Sequence, residues 1–336
     1  MQQLILGPAW LGDIIMSHAL VQYIHQLQPE SLIDILLPQA FAPIASRMSH
    51  INQCLINPLQ HKELSLKKRY QLAQSIKHRY HRAYILKNSF KSALIPWWAK
   101  IPCRSSWLGE HRYGLINDIH KLQPNIHTTM VERFLLLACP KDEPLPNYRA
   151  FLPKLDTDHK AQAQSIHKHK LHTERPITIL CPGAAYGPSK RWPVAHFIKL
   201  ANMRVALGEQ IWIMGSSQEA DLGQAIVSQL PEHGHNLCGH TNLTEAIDLM
   251  SLAQMVISND SGLMHMAAAT QTPVIGLYGA TSEHFAPPLS AKSARLFTSP
   301  PCRPCKKRTC RFGHYQCLTD ITPSMVNQKI NSLLGE

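Results

Sequence analysis

Three clusters of residues in this chain have the types and spacing that chemistry requires. The first is Gly7-Pro8-Ala9-Trp10-Leu11-Gly12-Asp13. Its Gly-x4-Gly spacing imitates a phosphate-binding P-loop, but that loop continues with Lys and then Ser or Thr, and here Asp13 follows. A carboxylate at that place repels a nucleotide's phosphates. It suits another task, taking a proton from a hydroxyl, with Trp10 and Gly12 in the loop that approaches the hydroxyl's owner. An acidic residue near a helix start is also stabilising in itself, so geometry rather than basicity has to justify Asp13 as a base.

The second cluster runs from Pro182 through Gly183, Ser189, Lys190, Arg191 and Trp192 to Pro193. It is long for a loop between strand and helix. Its small residues let backbone amides approach a ligand, Lys190 and Arg191 add positive charge, and Pro193 suits the first turn of the next helix. Together these describe a clamp for a pyrophosphate. The third cluster is Ser258-Asn259-Asp260-Ser261-Gly262-Leu263-Met264-His265. Asp260 and Ser261 fall at a helix start, where they can cap free amides or leave those amides to a phosphate. A carboxylate after a neighbouring strand, Glu219, has the placement of a ribose-binding group.

A fourth group stands apart. Cys302, Cys305, Cys310 and Cys317 follow Cys-x2-Cys-x4-Cys-x6-Cys spacing in a Lys/Arg-rich segment that also contains His314. The first pair resembles half of a zinc site, so these four are candidates for a structural zinc with no part in catalysis. The other reading is a cysteine-rich loop without metal. The remaining five cysteines are scattered, which suits reduced thiols in a cytoplasmic protein.

Composition bounds the rest. With 336 residues, two domains are expected. No apolar run reaches membrane-spanning length and no secretory signal is visible. The net charge is +12, and much of the excess lies between His61 and Arg112, including Lys62, Lys67, Lys68, Arg69, Lys87 and Lys91. Such a patch attracts polyanions. Trp97, Trp98 and Trp107 within it favour an anionic membrane surface, and no nucleic-acid-binding signature accompanies the charge.

The elements that must position these clusters alternate. Apolar strands are expected at Gln3–Leu6, Ser31–Leu37 and Ala83–Leu86, with a helix running from Gly12 to Leu27. In the second half, strands are expected at Pro176–Cys181, Gln210–Gly215, Asn236–Gly239, Met255–Asp260 and Pro273–Gly279, with helices between. This predicts α/β architecture with parallel sheets covered on both faces, and ligands at the carboxyl ends of the strands. A proline-rich stretch and a polar helix place the domain boundary near residue 172.

The three clusters, in this order and spacing, closely resemble the ADP-heptose:lipopolysaccharide heptosyltransferases of glycosyltransferase family nine. The Gly-Pro-x-Trp-x-Gly-Asp start and the Gly-Pro-x-Lys-Arg-Trp-Pro loop resemble the branch that adds the second heptose rather than the first. The resemblance implies a GT-B fold of two Rossmann-like doubly wound domains: residues 1–172 for the acceptor, 173–320 for the ADP-sugar, and 321–336 as a helix crossing back. It implies inverting transfer of heptose from ADP-heptose to a lipid-A-linked, heptosylated core, without a catalytic metal or other required cofactor. Asp13 would be the base and Lys190 the leaving-group stabiliser. Gly183, Ser189, Arg191, Glu219, Asp260, Ser261, Gly262, Leu263 and His265 would hold the donor. The expected location is cytoplasmic, peripheral at the inner-membrane surface. Rival readings are a family member with another acceptor, first- or third-heptose, and a non-catalytic basic binder of nucleotides or nucleic acid.

Overall fold

Short apolar runs buried on both faces are the sequence form of parallel strands, and they pair here as such. The structure is a computed structural model. It describes all residues except 60–62, 231 and 336, so His61 and Lys62 of the basic run lie outside the described residues. The chain divides into two units, Met1–Pro153 and Lys154–Glu336.

The first unit contains β1 (Gln2–Leu6), β2 (Leu32–Pro38), β3 (Gln53–Asn57), β4 (Arg82–Ile85), β5 (Cys103–Trp107) and β6 (Asp118–His120). They form one parallel sheet in the order β3-β2-β1-β4-β5-β6. Strand order runs outward in opposite directions from β1 and from β4, so the loops after these two strands flank the topological switch point. The expected long helix is two helices, Leu11–Met16 and His18–Leu27. Between them the Ser17 hydroxyl donates to the Ile14 carbonyl at 2.6 Å.

The second unit contains β7 (Ile177–Cys181), β8 (Gln210–Ile213), β9 (Gly234–Asn236), β10 (Met255–Asn259), β11 (Val274–Tyr278) and β12 (Ser293–Phe297). Their order, β12-β11-β10-β7-β8-β9, puts the switch point between β7 and β10. Every residue of β7, β8, β10 and β11 is buried. β9 lies slightly before the expected Asn236–Gly239, and β12 continues the sheet beyond the last expected strand.

Two boundaries differ from expectation. The polar helix His159–Lys168 belongs to the second unit rather than the first. The Asp158 amide donates to Asp248 Oδ1 at 2.8 Å, and Gln162 Nε2 donates to the Asp248 carbonyl at 2.8 Å and Ser251 Oγ at 2.9 Å. The unit boundary therefore falls at residue 153 instead of 172. The C-terminal helix Pro323–Leu334, expected to cross back, buries Val326 and Ile330 in the second unit's core with Trp192 and Phe197.

Candidate functional site

Loop 182–193 leaves β7 at its carboxyl end and is stapled at both ends by one side chain. Asn259, the last residue of β10, donates from Nδ2 to the Pro182 carbonyl at 2.7 Å and accepts from the Trp192 amide at 3.0 Å. Trp192 is buried, donates from Nε1 to the Ile321 carbonyl at 2.8 Å and packs edge-on against Phe197. The loop's ends are thus fixed to the core, which sets the position of its middle, with Lys190.

Lys190 Nζ lies 2.6 Å from Asp260 Oδ2, with both side chains largely buried. Thr281 donates its hydroxyl to the same carboxylate at 2.5 Å. An ammonium has three donors. Asp260 takes one and holds the group in place, leaving others for an anion. Below it, the Lys190 ammonium stands 5.0 Å from the centre of the Tyr186 ring.

The helix Gly262–Ala269 begins directly beside this pair. Its N-cap, Ser261, makes no side-chain capping bond, and its first turn carries no acid. Asp260 points to Lys190 and Thr281 rather than to these amides. The amides of Gly262 and Leu263 therefore add a positive dipole end next to a fixed cation, the arrangement that favours a phosphate. His265 is buried one turn in. Burial, with Lys190 adding to it and Asp260 opposing, pulls its imidazole down to about 4, so the ring is neutral at ordinary pH. Its Nδ1 has no hydrogen-bond partner among the described residues.

Gly183 and Glu219 are matched. A Cβ on Gly183 would stand 2.6 Å from the Glu219 carboxyl carbon, so only glycine lets this acid lie under the loop. Glu219 Oε2 accepts from the Ser216 amide at 2.8 Å and from its hydroxyl at 2.5 Å, closing a capping box. The other carboxylate oxygen, Oε1, faces Gly183.

Two of the expected donor residues sit otherwise than the sequence suggests. Ser189 is buried; its hydroxyl donates to the Lys307 carbonyl and its amide to the Arg308 carbonyl. It braces the loop from behind. Arg191 is exposed and leans on the Ala184 carbonyl at 3.4 Å. Sequence reasoning missed Asn259, Thr281 and Tyr186 as parts of this site. Asn259 was within view as the residue before Asp260, while Thr281 reaches Asp260 from the loop after β11.

In the first unit, Asp13 lies in the first turn of the six-residue helix Leu11–Met16, just past the end of β1. It is half-buried, and the preceding Trp10 is exposed. Across the switch point, Lys87 follows β4. Burial, with the nearby Arg69 and Lys91 charges, pulls its ammonium down to about 8. Much of the surrounding basic run is structural. Arg69 donates to the Leu64, Glu63 and Lys91 carbonyls, and Arg112 to those of Lys87, Trp107 and Gly109. Trp107, expected at a membrane surface, is buried on β5 and stacks on Phe134; Trp97 is exposed.

Among the described residues no three His, Cys, Asp or Glu side chains are grouped to hold a metal. The Asp-x-Asp spacing of metal-dependent glycosyltransferases does occur, at Asp156-Thr157-Asp158, but Asp158 caps the helix that follows by accepting from the Lys160 and Ala161 amides.

Residues 69–316 match the family model described as glycosyltransferase family 9 (heptosyltransferase). The chain is 40% identical over 351 residues to lipooligosaccharide heptosyltransferase 2 of Haemophilus influenzae, covering all of both chains. It is 38% identical over 348 residues to lipopolysaccharide heptosyltransferase 2 of Escherichia coli strain K12, covering 99% of each. Among solved structures, E. coli ADP-heptose LPS heptosyltransferase II superposes with a TM-score of 0.87 at 36% identity, over 99% of this chain and 98% of that one. The two-sheet GT-B architecture expected from the sequence is the architecture of these relatives. The chain belongs to glycosyltransferase family 9, the heptosyltransferases.

Proposed function

We propose that this chain transfers L-glycero-D-manno-heptose from ADP-heptose, with inversion, onto the first heptose of the lipopolysaccharide inner core. The observation that carries the donor half is Lys190, fixed by Asp260 at 2.6 Å beside the uncapped start of helix Gly262–Ala269. As the glycosidic bond to ADP breaks, negative charge grows on the pyrophosphate. A cation and amides already in position stabilise it without reorganising. Glu219, through the oxygen left over from its capping box, accepts from the ribose hydroxyls. Neutral His265 packs behind Asp260 and leaves the phosphate site's charge to Lys190.

Asp13 is the base. The acceptor hydroxyl attacks the anomeric carbon while its proton passes to the Asp13 carboxylate, and the anomeric carbon passes through an oxocarbenium-like state. Trp10 and Gly12 line the acceptor side of that loop. None of these steps needs a metal or an organic cofactor. No described helix is long and apolar enough to cross a membrane. Peripheral contact is supported by exposed Leu64, Leu66, Tyr70, Phe90 and Trp97 interspersed with Lys67 and Lys68. Such a mixed face suits anionic headgroups at the cytoplasmic side of the inner membrane.

The test is a transfer assay with ADP-heptose and core acceptors carrying no heptose or one. ADP release is expected only with the one-heptose acceptor, and mass spectrometry should show a single heptose added. Preferred transfer to the heptose-free acceptor would move the chain to the first-heptose reaction. Nucleotide binding without any transfer would leave a non-catalytic binder.

A further inference from the structure

The cysteine segment is not remote from the loop that carries Lys190; it forms the backing of that loop. The Tyr186 hydroxyl donates to the Lys306 carbonyl at 2.7 Å. Ser189 gives its hydroxyl to the Lys307 carbonyl and its amide to the Arg308 carbonyl, the latter at 3.1 Å. Gly187, at φ +145°, lies so close that a Cβ there would stand 2.7 Å from the Arg308 carbonyl oxygen. The Lys306 amide in turn donates to the Ala280 carbonyl at 2.8 Å, beside Thr281, which holds Asp260. Three consecutive carbonyls, 306 to 308, therefore set the height of the Lys190 loop.

That backing is tied to the unit at one end by the buried Arg303 side chain, which donates to the Gly279 and Thr281 carbonyls at 2.9 Å and to Glu283 at 2.6 Å. No helix or strand occurs between β12 and the short helix Gln316–Thr319. An irregular stretch of this length inside a folded unit needs internal support. Beyond Arg303 the segment gathers four thiols around one small cavity of about 20 Å³, bordered by Cys302, Cys305, Cys310, Cys317 and His314. Cys317 lies within electrostatic reach of the other three sulfurs. The Gly313 amide donates to the Cys310 carbonyl at 3.2 Å, and Gly313 at φ +75° closes a tight turn beside the Cys310 thiol. All nine cysteines of the chain are free thiols, so no disulfide supplies the support.

We propose that Cys302, Cys305, Cys310 and Cys317 bind one metal ion of the zinc class, and that this ion braces residues 306–308 behind the Lys190 loop. The four sulfurs are not grouped as ligands as they stand. Rotation about each Cα–Cβ bond swings a sulfur by an ångström or more, toward the shared cavity. Each thiol that binds gives its proton to solvent, so binding strengthens as pH rises. A tetrahedral all-sulfur set selects zinc or iron over hard cations such as magnesium. The bracing half rests on Lys190 as the donor-site cation; the metal half does not.

The experiment uses the full chain purified without chelator. Plasma mass spectrometry is expected to find about one zinc or iron per chain, as a closed thiolate site holds. Adding Co²⁺ to chelator-stripped protein should give the thiolate-to-cobalt charge-transfer absorption. Cys305→Ser should lose most of the metal, and transfer kcat should fall roughly 10- to 100-fold with a smaller change in acceptor KM. Substoichiometric metal together with no cobalt–thiolate band overturns the site, whatever the transfer assay shows. Full metal loss with unchanged kcat and donor affinity overturns the brace while leaving the site. If Cys305→Ser does not fold, chelation of the wild-type chain, followed by circular dichroism and ADP-heptose binding, reads the same two outcomes.

Discussion

The two units share one strand order around their first strand, yet they carry opposite chemistry on the two sides of the switch point: after the first strand in one unit and after the fourth in the other. In each, the first and fourth strands flank the switch point: β1 and β4 in one, β7 and β10 in the other. After β1 comes a six-residue helix with Asp13 in its first turn. After β10 comes an eight-residue helix with no acid in its first turn and an unused amide end, beside the Lys190–Asp260 pair. The fold supplies the position, and a few residues decide whether it attracts a phosphate or receives a proton. The P-loop-like spacing of Gly7 and Gly12 belongs to the unit with the wrong charge for phosphate, while the phosphate-favouring end lacks that spacing altogether.

The sharpest way to break this comparison is at Asp13. Asp13→Asn should lower transfer by roughly 10²- to 10⁴-fold, the range of a positioned general base, with ADP-heptose affinity unchanged in calorimetry. A parallel loss of donor affinity would put Asp13 on the phosphate side and end the division of labour. Lys190→Met comes next. Turnover should fall about 10²- to 10³-fold and donor binding should weaken, as for loss of one oxyanion-type donor. The same variant strands Asp260, which should cost roughly 3 kcal/mol of stability. Lys190→Met with Asp260→Asn should regain that stability in thermal unfolding but not the rate. Recovery of both would reduce the pair to a structural salt bridge.

His265 sharpens the second unit's side through pH. Its folded value of about 4 lies below the ordinary 6.5, so the unfolded chain binds the extra proton between those values. Stability is complete above pH 6.5 and is lost as pH falls toward 4, by on the order of 2–3 kcal/mol. Denaturant titrations of wild type and His265→Gln should diverge in that window and converge above it. Parallel curves would show that the ring is not held neutral by its burial.

Much of this was legible in the sequence because it is local. Buried parallel strands are written as apolar runs, and β7, β10 and β11 stood out for that reason. β12 did not, since its Ser293–Phe297 run alternates in exposure at the sheet's edge. Lys190 and Asp260 were found from loop position, but their pairing was not, because Thr281 and the 306–308 carbonyls arrive from distant segments. Ser189 illustrates the limit: the partner that turns its hydroxyl away from the ligand side is 118 residues away. Trp107 was misread for the same reason, since charged neighbours in sequence conceal a β5 side chain packed on Phe134. Lys87 was hidden by its surroundings in another way, as one cation among many in a basic run.

Lys87 now separates the first unit's cations into two kinds and gives the smallest but most selective test. Arg69 and Arg112 spend their donors on backbone carbonyls and hold the fold. Lys87 is instead depressed to about 8 by burial and two like charges. Below pH 8 it is charged in both the folded and unfolded chain, and the folded chain bears the cost. Between 8 and the ordinary value of 10.5 the unfolded chain binds the extra proton, so stability rises with pH through that window. Lys87→Met should therefore raise the melting temperature at pH 7, by on the order of 1–2 kcal/mol of stability, and have less effect near pH 10. Lys87, just past the end of β4 across the switch point from Asp13, is the cation to test as a contact for an anionic acceptor group. The same variant should raise acceptor KM several-fold with little change in kcat, and wild-type KM should climb as pH passes 8. A lower melting temperature with an unchanged KM would return Lys87 to the structural set and leave Asp13 as the first unit's only chemical group at the switch point.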